Sequence, residues 1–331
     1  MNIAPKATLS ALALSCLITA NVSAQQAPAS VSANDFIELF EKLGGKHAGF
    51  RKAHAAGVCA NGEFTPNEDA SKYSSSLMFQ QSSVPAQVRF SVGGPNPLSD
   101  ERETGVRGIG ISLTLEDGSR HNITGNNTPF FTGKDPETFF GFLQNLVPDE
   151  SGRPDMAALG AYIAANPSVQ NAVAWSQSNP TPASYAAERY FGIHTFYMEN
   201  TNGQLTKFKW TLSPDAGEQN LSEQDKESLG PKYLEERLVQ DIEQGKATFT
   251  LTATLGQEGD ADTDPSVAWP EDRETIQLGT LTLISAGGEA CNPTNFDPNV
   301  LSAGFKGSDD PVLKMRTPAY GISFGKRLSN Q

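Results

Sequence analysis

The chain has 331 residues, with 25 Lys and Arg against 38 Asp and Glu and a formal net charge of −13. So acidic a chain makes a nucleic-acid backbone or an anionic membrane surface a poor main partner. The length suits one large domain or two ordinary ones. Residues 1–24 read as a removable export signal: Lys6 gives a positive start, Leu9 to Thr19 an apolar core, and Val22-Ser23-Ala24 a small-residue cleavage site. The apolar core is too short to span a bilayer, and no later stretch is apolar for long enough, so no membrane span is expected. The mature chain is expected to start near Gln25. It keeps two cysteines, Cys59 and Cys291, which an oxidising compartment permits to pair; sequence alone does not settle whether they do.

Along the chain, Asn34-Asp35 is expected to cap a helix that runs to Gly44-Gly45. Phe50 to Gly57 follows, then a polar loop to Ser71. Gln87 to Val92 and Gly108 to Leu115 alternate as strands, and Glu116 to Ser119 is a hairpin turn leading to a return strand over His121 to Thr124. Asp135-Pro136 opens a helix through Leu146, and Asp155 to Ala165 reads as another. Gly192 to Tyr197 and Leu205 to Leu212 form a second strand pair around an Asn200–Gly203 turn. Glu223 to Glu243 reads as one helix. Ala247 to Leu255 and Ile276 to Ile284 are further strands, and Asp309-Asp310-Pro311 starts a last helix. No linker divides residues 25–331, which read as a single α+β domain whose hairpin-joined strands are able to close as a barrel.

Chemistry concentrates in few residues. Arg316, Tyr320 and Arg327 are spaced by four and seven, so a helix carries them on one face. Two guanidinium groups beside a phenol favour the phenolate, a hard oxygen ligand suited to ferric iron; a packed surface helix is the plainer alternative. Among only 4 histidines, His54 stands between alanines, where a ring is free to lie against something planar or simply to be half-buried. Asn126 and Asn127 end a strand before Thr128-Pro129; they are either turn residues or an amide aimed into a cavity. Arg89 is either a surface charge or an inward arginine, and Phe131 and Phe139 suit core packing. No hydrolase elbow, phosphate loop, dinucleotide turn, H-E-x-x-H or C-x-x-C pattern occurs.

Taken in order, these pieces resemble the haem catalases. The matching stretches are R-K-A-H-A-A-G at 51–57, V-R-F-S at 88–91, V-R-G at 106–108, G-N-N-T-P-F-F at 125–131, H-T-F at 194–196, A-W-P at 268–270, F-D-P at 296–298 and R-T-P-A-Y at 316–320. The chain looks most like the short, exported branch, the catalase-related peroxidases. The resemblance implies a closed antiparallel β-barrel with surrounding helices, haem b as cofactor, and hydrogen peroxide or a small hydroperoxide as substrate. It also implies roles: His54 and Asn126 as the catalytic pair, Tyr320 as the axial iron ligand, and Arg316 as the group keeping it anionic. Arg51, Arg89 and Arg327 would hold the haem propionates, Ser91 would hydrogen-bond His54, and Phe131 and Phe139 would line the haem pocket.

Departures from typical catalases shape the expected activity. Only 11 residues follow Tyr320, little chain precedes Arg51, and position 53 is alanine where typical members carry a larger residue. A shorter, wider channel favours organic electron donors, so peroxidase activity is expected over dismutation. Pro318, between Arg316 and Tyr320, is able to kink their helix. A hydroperoxide-isomerising enzyme similar to allene oxide synthases and a non-enzymatic haem or lipophile carrier are the rival readings. The expected location is the periplasm, and the expected state a monomer or small homo-oligomer.

Overall fold

The structure, a computed structural model, describes residue 1 and residues 30–331. The expected export signal lies outside the described residues, residue 1 aside. Residues 31–331 form one compact unit.

Helix α1 spans Ala33–Gly44 and is capped by Ser32, whose side chain and that of Asp35 satisfy each other's backbone N–H. The expected cap at Asn34-Asp35 is therefore two to three residues too late, since the box needs its acid three residues inside. Strands β1 (Gly57–Pro66), β2 (Val84–Val92), β3 (Arg107–Thr114) and β4 (Arg120–Asn126) follow. Then come helices α2 (Pro136–Gln144), α3 (Met156–Ala165) and α4 (Pro167–Ser178). Strands β5 (Tyr190–Phe191), β6 (Phe196–Glu199) and β7 (Leu205–Pro214) precede helices α5 (Glu223–Ser228) and α6 (Leu234–Glu243). The chain ends with β8 (Thr248–Leu255), β9 (Thr275–Ala286), β10 (Phe305–Gly307) and α7 (Pro311–Leu328).

Among the described residues, eight strands close a ring in the order β1-β2-β3-β4-β5-β7-β8-β9, with β9 pairing back to β1 and every pair antiparallel. Strands β6 and β10 extend from β7 outside that ring. This is the closed barrel with helices that the sequence predicts. Closure removes the unpaired edges that an open sheet of this size would expose.

Three local readings need correcting. The polar loop expected after Gly57 is strand β1 as far as Pro66. Its apolar residues Val58, Ala60 and Phe64 face the barrel core, while Cys59, Asn61 and Glu63 face the other way, so half of each pair looks loop-like in sequence. The single helix expected over Glu223 to Glu243 is two, α5 and α6, because Gly230-Pro231 interrupts it and proline lacks the N–H a helix interior needs. The strand expected over Gly192 to Tyr197 is broken between Phe191 and Phe196, where His194 turns inward. Helix α4, with Pro167 in its first turn, is an element the sequence reading leaves out.

Period-two alternation sorts the barrel strands into two faces. Val84, Ala86, Val88, Phe90 and Val92 of β2, and Ile109, Ile111 and Leu113 of β3, enter the main core. Arg89, Ser91, Gly108 and Gly110 stand on the opposite face. That second face of β1–β4 becomes a floor, with His54 over Gly108 and Phe296 over Gly110, while α7 packs against α1 and α2. A disulfide between Cys59 and Cys291 ties this loop to β1 across a sequence separation of 232. A chain-entropy estimate for so long a loop is about 5 kcal/mol at most.

Candidate active site

The floor is organised by strand register. Gly57 of β1 pairs with Ser91 of β2, Ser91 with Gly108 of β3, and Gly108 with Asn126 of β4, so these four residues stand in one row on one face. At the usual inter-strand spacing, Ser91 and Asn126 lie roughly 10 Å apart across the row. Above it, Ser91 Oγ lies 3.0 Å from His54 Nδ1, which leaves Nε2 as the nitrogen available to a ligand. The close approach depends on Gly108: a Cβ there would sit 2.7 Å from both His54 Nδ1 and Ser91 Oγ. His54 also adopts φ 53°, a left-handed conformation that costs roughly 1–2 kcal/mol outside glycine and is held here by its surroundings. V-R-G at 106–108 marked Gly108 in the sequence, but only the packing gives it a purpose.

Burial, reinforced by the positive charges of Arg89, Arg316 and Arg51, pushes the His54 pKa down to about 3. The imidazole is therefore neutral, and able to accept a proton, through mildly acidic and neutral pH. The expected pH profile of the reaction with peroxide is flat between about pH 5 and 8 and falls only as pH approaches 3. A stopped-flow profile that instead falls with a midpoint near the ordinary histidine value of 6.5 would contradict this.

The two adjacent asparagines have different tasks. Asn127 is buried with both ends occupied: its Oδ1 accepts from the Arg107 backbone N–H at 2.9 Å, and its Nδ2 donates to Glu188 at 3.0 Å. Asn126 Oδ1 accepts from both the N–H and the hydroxyl of Thr128, at 2.9 and 2.7 Å. Those bonds orient the amide and leave its NH2 group as the free donor. Asn127→Ala is expected to lower stability by about 1–3 kcal/mol, as two buried partners lose their bonds. Asn126→Ala is expected to unfold near the wild-type temperature yet react with peroxide roughly tenfold to a hundredfold more slowly. Thermal unfolding and single-turnover kinetics of the two variants, compared side by side, check this.

Helix α7 carries the second half of the site. It runs unbroken through Pro318, so Arg316, Tyr320 and Arg327 share a face as the spacing predicts. The Ser323 hydroxyl accepts from the Lys52 backbone N–H at 3.1 Å, and Lys326 bonds Glu41 of α1 at 2.8 Å, which fixes the helix against residues 51–56. The Arg316 guanidinium lies 5.3 Å from the centre of the Phe131 ring, and Phe131 contacts Phe139 at 4.6 Å between centroids. Phe139 in turn stacks on Phe36 of α1 at 5.7 Å.

His194 and Asp310 add a component that the sequence reading did not assign. Asp310 Oδ1 caps α7 by accepting from Val312 N–H at 2.7 Å, while its Oδ2 lies 2.6 Å from His194 Nδ1. Burial lowers the His194 pKa to about 4, Asp310 opposes that shift, and the nearby Arg316 charge adds to it. The signal was present as H-T-F and as D-D-P at the helix start, but their contact spans 116 residues.

Arg51, Arg89 and Arg327 converge. Arg51 Nη2 donates to the Thr294 carbonyl at 3.1 Å and the Cys291 carbonyl at 3.4 Å, Arg327 Nη2 reaches the Thr294 carbonyl at 3.5 Å, and Arg89 Nη2 donates to the Ala55 carbonyl at 3.1 Å. Burial, with the charges of Arg89 and Arg327, pushes Arg51 down to about 8, while the nearby Tyr320 opposes this. Burial likewise lowers Arg89 to about 10. Among the described residues none of Arg51, Arg89, Arg316 and Arg327 forms an ion pair, and the Nε atoms of Arg51, Arg316 and Arg327 are buried without a partner. Such a cluster lacks counter-anions, and a dicarboxylate ligand fits it. A planar porphyrin with two propionates, beside an oxygen ligand and against two phenylalanines, matches that demand.

A profile of the family described as Catalase matches residues 18–331. The chain belongs to the catalase family. A catalase-related peroxidase of Synechococcus elongatus is 34% identical over 305 residues, covering 91% of this chain and 90% of that one. A catalase-related peroxidase of Mycolicibacterium paratuberculosis is 31% identical over 291 residues, covering 87% and 92%. Among solved structures, a fungal catalase superposes with a TM-score of 0.77 at 24% identity, and catalase A of Saccharomyces cerevisiae with 0.77 at 22%. Each match covers 86% of this chain, which spans only 60% and 62% of those catalases; at that identity the likeness is one of fold. No helix among the described residues is long and apolar enough to cross a membrane.

Proposed function

We propose that the protein is an exported, periplasmic haem b peroxidase that reduces hydrogen peroxide or small organic hydroperoxides with an organic electron donor, with weak catalase activity beside it. As a member of the catalase family it is a haem peroxidase in the broad sense; the donor, the haem type and the compartment are the proposal. The single observation that carries the reading is the neutral His54, held by Ser91 and standing over the row that ends in Asn126. The disulfide fits an oxidising compartment.

In this reading the Tyr320 oxygen would hold the haem iron, Arg316 would keep that oxygen anionic, and Arg51, Arg89 and Arg327 would bind the propionates. Bound haem would supply redox-active iron. His54 Nε2 takes a proton from the inner peroxide oxygen and returns it to the outer one, which leaves as water. The Asn126 NH2 group donates a hydrogen bond that orients the peroxide for this transfer. Ser91 holds the imidazole at Nδ1, so that Nε2 faces the substrate. Over the cycle the donor contributes two electrons and two protons, and one peroxide becomes two waters.

The test is the absorption spectrum of the purified protein before and after one equivalent of hydrogen peroxide, followed by a phenolic donor. A ferric tyrosinate-type spectrum that changes with peroxide and returns with the donor supports the proposal. Protein made with ample haem that carries none would overturn it. Conversion of a lipid hydroperoxide without any donor would replace it by an isomerase.

A further inference from the structure

The Cys59–Cys291 bridge lies beside the arginine cluster rather than at a remote edge. Cys59 pairs with Arg89 in the β1–β2 register, and both half-cystines are buried. From Cys291 the chain makes a tight turn in which the Thr294 N–H donates to the Cys291 carbonyl at 3.0 Å. The two ends of that turn are the acceptors of the arginines: Cys291 O and Thr294 O for Arg51, Thr294 O for Arg327. The Phe296 ring, two residues on, lies under the Arg51 guanidinium at 5.6 Å and over Gly110, where a Cβ would sit 2.8 Å from it. No strand or helix runs through this loop between Ala286 and Phe305. It is fastened by Gly287 N–H on the Cys59 carbonyl at 2.8 Å and Cys291 N–H on Cys59 Sγ at 3.1 Å. Gln87 grips it from β2, donating to the Ala290 carbonyl at 3.0 Å and accepting from the Thr294 hydroxyl.

We propose that this disulfide is part of the haem-holding apparatus: by fixing the 291–294 turn it positions Arg51 and Arg327, so tight haem retention requires that the bridge has formed. The proposal rests on the haem reading above. The guanidinium groups hold a dicarboxylate well only if their own acceptors stay in place, because each misplaced donor loses a charge-assisted bond. The bridge acts as a static lock, since its sulfurs are buried from soluble reductants. Oxidation of two thiols to one disulfide, with two electrons and two protons passing to a disulfide oxidant, would therefore precede stable haem loading.

The experiment follows transfer of haem from holoprotein to excess apomyoglobin by absorbance. It compares the oxidised protein with the dithiol form, prepared by expression in a reducing compartment and verified by thiol titration, and with the Cys59→Ser/Cys291→Ser variant. Loss of haem is expected to be about tenfold faster in both. Gln87→Leu, which frees the turn while keeping the bridge, is expected to accelerate loss as well. In an Arg51→Gln/Arg327→Gln background, breaking the bridge is expected to add little, because the disulfide acts through those two side chains. Equal transfer rates with and without the bridge, or the same acceleration in the Arg51→Gln/Arg327→Gln background, would overturn the proposal. Absence of haem from the oxidised wild type would fail the haem reading itself, a separate result visible before any variant is made.

Discussion

Tyr320→Phe is expected to remove haem from the purified protein. Its oxygen is the one ligand this chain offers the iron in the reading above, and the α7 face leaves phenylalanine at that position with no donor atom. Losing an outer partner of a metal ligand typically costs tenfold to a hundredfold in metal affinity, so losing the ligand should cost at least about a hundredfold. The fold should survive, because Tyr320 is half-buried and its hydroxyl makes no hydrogen bond to the protein among the described residues. Haem titration of the apoprotein followed by absorbance, with circular dichroism as the folding control, measures both. Normal ferric haem retention by the phenylalanine variant would sink the ligand assignment.

His54→Ala has the second large expected effect, and it separates chemistry from binding. The variant should keep its haem, since the three-arginine cluster and Tyr320 remain. Its reaction with peroxide should be slower by roughly 10²–10⁴, the range general acid–base catalysis supplies. Alanine also carries a Cβ, so the left-handed strain at position 54 stays in the variant and its stability is not expected to rise above wild type. Single-turnover mixing with peroxide reads the rate directly, and an unchanged rate would remove His54 from the proton-transfer role. Ser91→Ala should give a smaller loss of the same kind, because it frees the ring without removing the base.

How much of this was legible in the sequence differs by residue. Strands β2, β3 and β4 were legible because Val-Arg-Phe-Ser-Val and Gly-Ile-Gly-Ile-Ser-Leu alternate strongly and end at turn residues. Strand β1 was not, because polar Asn61 and Glu63 and small Ala60 and Gly62 hide the alternation of its inward Val58 and Phe64. The Arg316–Tyr320–Arg327 face was legible from spacing alone, and Pro318 did not disturb it. The pair Asn126-Asn127 was ambiguous: only the partners Arg107, Glu188 and Thr128 distinguish the amide that is fully satisfied from the one with a free donor. The His194–Asp310 contact and the disulfide escaped because each joins residues more than a hundred positions apart.

By itself the sequence determined the periodicities, the turns and the side chains that carry chemistry, because those depend on neighbours within a few residues. It also determined family membership, through many short motifs kept in order. Only the tertiary structure decided which of these side chains meet. Register places Ser91, Gly108 and Asn126 in one row, and α7 brings Tyr320 near Arg51 and Arg89. The turn beside Cys291 gathers two arginines that no local pattern relates. The physical reason is that pKa shifts, orphaned donors and unpaired charges depend on distances across the barrel, and closure of the chain sets those distances.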